Sequence, residues 1–169
     1  SLALLFFLVV ASYHFGKEDT ELFLFTNYAK QSVKSYDKYI KGYYFFIFFK
    51  GFLIITAPLF FHYQETQDIF RILNSNFSLH QDFILIFFLL SVYAYIHFIF
   101  ILNTSSYGDG AVISDGASIL LLNYFFSPLI AFTFYFCFLH SVRHSISLIS
   151  TLDKKNLKKG TQKFIKKAL

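Results

Sequence analysis

Two histidines lie four residues apart at the end of an apolar stretch, AFTFYFCFLHSVRH, which runs from residue 131 to residue 144. On an α-helix, residues i and i+4 share a face, so His140 and His144 would point the same way. Two imidazoles at this spacing can bind one metal ion from a single helix. The alternative is a hydrogen-bonded pair near a membrane surface, with Arg143 reaching to lipid headgroups. Spacing alone leaves both interpretations open.

The same spacing predicts a polar stripe that faces the interior of a helix bundle. Its members are Thr133, Cys137, His140, His144 and Ser147. Ionisable groups inside a membrane are costly, and they are candidates for a functional role by default. The single cysteine excludes an intrachain disulfide, and its apolar neighbours predict that it is a small packed residue.

A second candidate is the stretch SYHFGKED, residues 12–19, in which a histidine closes an apolar run and acids follow. Glu18 lies at i+4 from His14, so its carboxylate could be a metal ligand or the hydrogen-bond partner of one. The alternative is an ordinary helix end, with Gly16 as the terminator and solvated acids after it.

The remaining histidines are weaker candidates for ligands. His62 follows a proline turn at the edge of an apolar run, as interfacial residues often do. His97 lies inside an apolar run, where Tyr93 or Tyr95 could be its hydrogen-bond partner. His80 is expected in an exposed loop.

The composition is that of an integral membrane protein. Of the 169 residues, 56% are hydrophobic and 22% aromatic, which is too apolar for a soluble domain of this size. The net charge is +5, but the lysines cluster at the edges of apolar runs, where they act as topology signals. We therefore expect membrane lipid, and no nucleic acid, as a partner.

The apolar runs predict an all-α fold, a polytopic transmembrane helix bundle with about four membrane spans and additional amphipathic helices on the surface. The predicted spans are Leu2 to Phe15, Tyr43 to Phe61, Asp82 to Leu102 and Pro128 to Ser147. Residues 103–118 are rich in Gly, Ser and Asp and are predicted as a loop. A short entry helix is expected between that loop and Pro128.

Three polar segments complete the predicted organisation. Lysines at three- and four-residue spacing predict a surface helix over residues 30–41, and residues 62–81 form a connection with one short amphipathic helix. The tail, residues 153–169, carries seven lysines and is expected in the cytoplasm. Residues 1–169 are predicted to form a single transmembrane domain. An apolar run that starts at residue 2 without an initiator Met predicts a fragment of a longer membrane protein.

Two long motifs and one short one resemble a known family. SYHFGKED, together with SPLIAFTFYFCFLHSVRH at residues 127–144 and APLFFH at residues 57–62, resembles the Brp/Blh family of bacterial and archaeal β-carotene 15,15′-dioxygenases. In that family an HFG segment follows an early membrane helix, and a segment like PPLLAFxxYFxxxHSxRH lies on a later one. Ser127 stands where the first proline of the usual pair would be.

The resemblance implies an enzyme that cleaves the central 15,15′ double bond of β-carotene with O₂ at a non-haem iron, giving two all-trans-retinal. Motif by motif, it implies Fe(II) ligation by His14, His140 and His144, with His62 and Glu18 as secondary candidates. Family members carry a further ligand upstream, in a PHGxxDH-type segment, which is absent here and agrees with a fragment. The resemblance also implies a bacterial or archaeal cell (inner) membrane, and it makes a rhodopsin a candidate recipient of the retinal.

The polyene is expected in a tunnel lined by aromatic side chains. Those close to the histidine pair in sequence are Phe125, Phe132, Tyr135, Phe136 and Phe138. Four alternating spans would put His14 and His144 at opposite membrane faces. They converge if the first helix continues through HFGKED, with Glu18, Asp19 and Glu21 facing inward and a metal or Lys50 as partner.

Two other functions are compatible with these residues. A di-iron membrane lipid desaturase or hydroxylase also uses histidine clusters, although only HSVRH resembles one here. A small transporter or channel subunit, not an enzyme, could use buried histidines and Lys50 as a proton path.

Overall fold

The chain forms a bundle of helices in the computed structural model, which describes residues 2–28, 36–102, 108–153 and 156–168. Side chains are described for residues 2–20, 44–97, 113–153 and 156–167. No strand occurs within these ranges, which confirms the all-α prediction. The helices are α1 (Leu2–Tyr28), α2 (Tyr36–Phe61), α3 (Tyr63–Leu73), α4 (Gln81–Leu102), α5 (Gly108–Phe125), α6 (Pro128–Phe134), a π-helical segment (Tyr135–His140), α7 (Ser141–Leu152) and α8 (Leu157–Ala168).

Two stretches of helix are long and apolar enough to cross a membrane. They are Tyr44–Phe61 in α2 and Pro128–Leu152, which joins α6, the π-helical segment and α7. The apolar part of α4 with described side chains, Gln81–His97, is shorter. Exposed large apolar side chains cover most of the surface of this part of α4, as expected for a helix in contact with lipid. A membrane helical protein is therefore supported, with two of about four predicted spans meeting the length requirement.

α1 is one uninterrupted helix through the HFGKED stretch. It runs from Leu2 to Tyr28, so Gly16 lies in its interior and does not terminate it. The helix-end interpretation of this stretch is therefore wrong. The glycine is there for another reason, which is the close approach of α2.

α1 and α2 cross where both helices carry small residues. A Cβ added at Gly16 would overlap the backbone carbonyl of Ile47, and one added at Gly51 would overlap the carbonyl of Ser12. Ser12 itself is fully buried. Small residues spaced by four let helix backbones approach closely, which is the usual way membrane helices gain packing energy without a hydrophobic driving force.

This crossing predicts the effect of Gly51→Ala. The added methyl group meets backbone, which cannot rotate away, so α1 and α2 must separate at a cost of about 1–3 kcal/mol in unfolding free energy. Thermal unfolding in detergent would measure the loss. Ser118→Ala on α5 is the control, because its exposed hydroxyl donates a hydrogen bond to the carbonyl of Ser114 within its own helix. Equal stability of the two variants would contradict the close crossing.

α2 is the central helix of the bundle. It packs against α1, α3, α4, α5 and α6. The core around it is formed by Phe46, Leu53, Ile54, Ala57, Phe88, Tyr95, Ile119 and Tyr135. These residues come from α2, α4, α5 and the π-helical segment, so the core fixes the last span against the centre of the bundle.

The predicted Gly/Ser/Asp loop is wrong over residues 108–118. These residues form the first part of α5, while residues 103–107 lie outside the described part of the chain. The small residues serve packing: a Cβ added at Gly116 would lie 2.7 Å from the ring of Tyr95, which packs against α5 there. Glycine here is a helix-contact residue, since it admits an aromatic ring from the neighbouring helix.

The last long helix begins at Pro128, as predicted. Ser127 is extended and Pro128 occupies the first helical turn, where a missing N–H costs nothing. A π-helical turn then follows, from Tyr135 to His140. Such a turn adds one residue to the helical repeat and is frequent at functional sites.

The predicted polar stripe is wrong in its first half because of this turn. Thr133 and Cys137 are exposed, whereas His140 and Ser147 are buried. The buried side continues from His140 back to Tyr135, a step of five residues, rather than to Cys137. Cys137 is consequently not the packed residue that its apolar neighbours predicted.

The amphipathic helix predicted between the second and third spans is confirmed as α3. Gln67 is buried on it and exchanges hydrogen bonds with the backbone of Leu79, which holds the connection against the helix. The lysine-rich tail forms α8, which packs against α7. The predicted surface helix over residues 30–41 lies outside the described side chains, although the backbone of α2 begins at Tyr36.

Candidate metal centre

The structure brings three of the predicted ligands together. The ring centroids of His14 on α1 and His140 on the π-helical segment are 5.9 Å apart, and those of His140 and His144 are 6.2 Å apart. The rings of the latter pair are nearly parallel, with an interplanar angle of 8°. Because α1 is continuous, His14 lies at the level of His140 rather than at the opposite end of the last span. Metal binding by these three residues stays a prediction.

Two neighbouring carboxylates of α1 orient two of the rings. The Nδ1–H of His140 donates to Asp19 Oδ1 at 3.0 Å, and the Nδ1–H of His144 donates to Glu18 Oε2 at 2.7 Å. Within the described side chains, Nε2 of each ring has no hydrogen-bond partner. This is the arrangement in which carboxylates orient metal-binding imidazoles and make them more basic ligands. Glu18 thus bonds to His144, which agrees with its interpretation as the hydrogen-bond partner of a candidate ligand.

Asp19 also receives a hydrogen bond from a tyrosine. The hydroxyl of Tyr135 donates to Asp19 Oδ2 at 2.7 Å, so both carboxylate oxygens have partners from the π-helical segment. The five-residue step from Tyr135 to His140 aligns these two donors on one side of the helix. In a regular α-helix, the residue on the same face as Tyr135 would be Leu139. His140 would then turn away from Asp19.

Behind this carboxylate lies a buried cluster of four charged side chains, which we call the charge cluster: Asp19, Lys50, Asp115 and Arg143. Lys50 Nζ lies 2.7 Å from Asp115 Oδ2, and Arg143 pairs with Asp115 and, at 3.6 Å, with Asp19. Lys50 and Asp19 also interact electrostatically. The side chains of both aspartates are 0% exposed and that of Lys50 is 1% exposed. Two positive and two negative charges balance, which is the condition for burying them.

The predicted alternative for Arg143, a side chain that extends to lipid headgroups, is wrong. Its guanidinium turns inward, and its side chain is only 14% exposed. The interpretation of Lys50 as the partner of an inward-facing carboxylate is supported. Asp19 is buried as that interpretation requires, while the side chain of Glu21 lies outside the described part of the chain.

Aromatic rings surround the buried histidine. Phe15 meets His140 edge-on, with centroids 4.9 Å apart at 89°, and Phe136 stacks on it at 5.5 Å and 26°. Tyr135 lies 6.1 Å away on the buried side. His140 is 6% exposed, whereas His14 is exposed and the side chain of His144 is 42% exposed. The three histidines, which we call the histidine cluster, therefore extend from the interior of the bundle to its surface.

The chemistry of this donor set fits Fe(II). Neutral imidazoles with a carboxylate on the opposite ring nitrogen are ligands that iron and zinc accept. Across the described ranges, no group of three or more His, Cys, Asp or Glu side chains is arranged to hold a metal ion as it stands. The three histidines are adjacent, and binding of a metal by them is a proposal.

The other histidines lie apart from the cluster. His62 follows the end of α2, about 16 Å along the helix from Gly51, and donates from Nε2 to the carbonyl of Asn123 at 2.8 Å. His97 is exposed and stacks on Tyr93 at 5.7 Å. His80 is exposed, as predicted, beside Asp82.

Sequence reasoning missed one member of the charge cluster entirely. The composition around Asp115 predicts a loop, yet this residue accepts a hydrogen bond from Tyr95 and pairs with both Lys50 and Arg143. The signal that could have found it is an acid flanked by small residues, SDGAS, directly before an apolar run. Small residues at such spacing indicate a helix contact inside a membrane protein as readily as they indicate a loop.

A comparison with protein families matches residues 1–169 to the family described as beta-carotene 15,15'-dioxygenase. Searches of curated proteins and of solved structures give no match.

Proposed function

Since the chain belongs to the β-carotene 15,15′-dioxygenase family, we propose that it cleaves the central double bond of β-carotene with O₂ at a non-haem Fe(II). The observation that carries the proposal is the meeting of His14 with His140 and His144, two of them hydrogen-bonded to carboxylates of α1. The family resemblance names the same three residues as ligands. These two independent arguments, one from motifs and one from geometry, support one site.

The reaction is balanced without any further reductant. One oxygen atom of O₂ is added to each carbon of the 15,15′ double bond, that bond breaks, and two aldehydes result, which are two molecules of all-trans-retinal. Bound iron would supply the oxygen activation that amino-acid side chains cannot provide.

The chain's own residues would bind the metal and orient the imidazole rings. His14, His140 and His144 would bind the metal, while Asp19 and Glu18 hold the rings of His140 and His144 through Nδ1, so that Nε2 of each ring would serve as the metal ligand. Tyr135 holds the second oxygen of Asp19, so that this carboxylate cannot rotate away from His140. Phe15 and Phe136 cover the buried imidazole and limit the access of water to it.

A membrane location suits the proposed substrate because both are apolar. β-Carotene is apolar and dissolves in the hydrocarbon core, and exposed apolar side chains lie on α1 and α4 within residues 2–20 and 81–97. We place the protein in a bacterial or archaeal cell membrane, with α8 and its lysines on the cytoplasmic side. Retinal released there would be available to a rhodopsin.

The test of the function is isotopic. The complete reading frame is expressed in bacteria that accumulate β-carotene, and the purified protein is assayed under ¹⁸O₂. We expect retinal as the product, with ¹⁸O in the aldehyde, and a requirement for Fe(II). A protein that folds and binds iron but yields no retinal would overturn the assignment, and a modified acyl chain would favour the desaturase instead.

The orienting carboxylates give a more local prediction. Glu18→Gln removes the negative charge beside His144 Nδ1 and preserves the shape of the side chain. Loss of such a partner typically weakens metal affinity by about 10- to 100-fold. Iron titration of the purified variant measures the change.

Glu65→Gln is the matched control for that variant. Glu65 also faces an imidazole, with 3.7 Å between its carboxylate and Nδ1 of His62, but that imidazole is not one of the three proposed ligands. We expect parental iron affinity there. If both glutamine variants bind iron like the parent, Glu18 does not orient a ligand.

A further inference from the structure

Two pairs of stacked phenylalanines lie on the same long helix and differ in what they touch. Phe132 and Phe136 are stacked at 5.9 Å and 21°, and Phe134 and Phe138 at 5.8 Å and 28°. Both pairs have the same i, i+4 spacing. Their exposures are comparable, at 45% and 42% for the first pair and 40% and 63% for the second.

Only the first pair continues into the candidate metal centre. Phe136 stacks on His140 at 26°, and His140 stacks on His144 at 8°. Phe132, Phe136, His140 and His144 therefore form one row of roughly parallel rings along the helix, which we call the ring ladder. Its first two rungs are apolar and its last two are the proposed iron ligands.

α1 closes one side of the ring ladder. The ring of Phe15 stands edge-on to Phe132 at 6.3 Å, to Phe136 at 6.5 Å and to His140 at 4.9 Å, with interplanar angles of 73–89°. Edge-to-face contacts of this kind are favourable and fix the orientation of the rings. The ring ladder therefore packs against α1 on one side, while Phe132 and Phe136 remain partly exposed.

We propose that Phe132 and Phe136 form the binding wall for one half of the polyene and so determine which double bond lies at the histidines. This inference rests on the proposed function. β-Carotene has no polar atom, so hydrogen bonds cannot recognise it, and the register must come from apolar contact along its length. A flat conjugated chain packed against two parallel rings would place the next segment beside His140.

The second pair faces a different surface. Phe134 and Phe138 line an open apolar groove of about 520 Å³ together with Leu121, Leu122 and Phe125. Residues 132 and 134 are about 200° apart around the helix, so the groove lies away from the ring ladder. Of the aromatic side chains predicted near the histidine pair, the geometry selects Phe132 and Phe136 for the substrate and leaves Phe125 and Phe138 in the groove.

The experiment compares two double variants of the full-length protein. Phe132→Leu/Phe136→Leu removes the ring pair on the ladder, and Phe134→Leu/Phe138→Leu removes the matched pair on the groove. Each is purified in detergent from cells that accumulate β-carotene. Bound carotenoid per protein, iron content, the KM for β-carotene and the ratio of off-centre apocarotenals to retinal are measured.

We expect the ladder variant to raise KM about tenfold, to bind less carotenoid and to release apocarotenals, with parental iron content. The groove variant should stay within about twofold of the parent in every measurement. Equal effects of the two variants, or a larger effect of the groove variant, would overturn the proposal.

The experiment distinguishes a failure of the proposed role of Phe132 and Phe136 from a failure of the proposed enzymatic function. A parent that binds β-carotene but makes no retinal would refute the proposed function, and the bound-carotenoid ratio would still decide between the two pairs. A parent that binds no β-carotene at all would refute the proposal that Phe132 and Phe136 bind the polyene.

Discussion

In the His140→Ala variant we expect iron content and retinal formation to be lost together. His140 is the most buried of the three histidines, and it lies between the other two. Its removal deletes one proposed ligand and leaves a gap between His14 and His144, so the remaining imidazoles no longer form a continuous cluster. Iron per protein and retinal by chromatography, at equal protein levels in the membrane, measure the effect.

His97→Ala is the matched control for that variant. It also removes an imidazole from an apolar helix, but this ring is exposed and stacks only on Tyr93 among the described rings. We expect parental iron and retinal. Because alanine at position 140 also leaves Asp19 without one partner, His144→Ala is the second test, since its side chain is 42% exposed and its loss disturbs packing less. Full activity of either cluster variant would remove the three histidines as the iron ligands.

Two of the candidate ligands were predictable from their spacing, and the third, His14, was indicated only by the family resemblance. His140 and His144 share a face at i, i+4, and His14 carries the HFG signature of the family. The helix start at Pro128 was predictable for a similar reason, since proline is favoured in the first turn. These are local effects, and local sequence encodes them.

The π-helical segment could not be predicted, since nothing in YFCFLH distinguishes a five-residue step from a four-residue one. The choice depends on tertiary contacts: Tyr135 and His140 both reach Asp19, 116 and 121 residues away in the chain. Two hydrogen bonds to one buried carboxylate stabilise the turn that permits both. The exposure of Cys137 follows from the same turn and was missed with it.

The partners of the buried charges were hidden for a related reason. Lys50 is one cation inside a run of aromatic residues, and Asp115 is one acid among glycines and serines, about 65 residues further along. A sequence shows that each must have a partner if it is buried. It does not show which, because the pairing depends on how α2, α5 and α7 pack.

The charge cluster connects this packing to the histidines. Asp19 is shared between His140 and the cluster, so the carboxylate that orients a proposed ligand is itself positioned by Lys50 and Arg143. The four charges come from α1, α2, α5 and α7. They tie these helices together around a balanced set of two cations and two anions.

Lys50→Met should therefore be strongly destabilising. Methionine fits the volume but leaves Asp115 and Asp19 with one cation between them, in a region with almost no solvent access. Removing one partner of a buried ion pair costs about 3–5 kcal/mol, because the remaining charge stays buried. Thermal or denaturant unfolding in detergent measures the loss, and iron content is expected to fall with it.

Lys163→Met controls for the loss of a lysine as such. Lys163 also pairs with an aspartate, Asp153 at 3.0 Å, but its side chain is 53% exposed, and exposed pairs contribute about 0–1 kcal/mol. The double variant Lys50→Met/Asp115→Asn separates charge balance from packing. It leaves Asp19 with Arg143, one anion with one cation, so we expect it to be more stable than Lys50→Met alone despite carrying one more substitution. If the second substitution only adds to the damage, the cluster is stabilised by its specific contacts, and the balance of charge does not explain its burial.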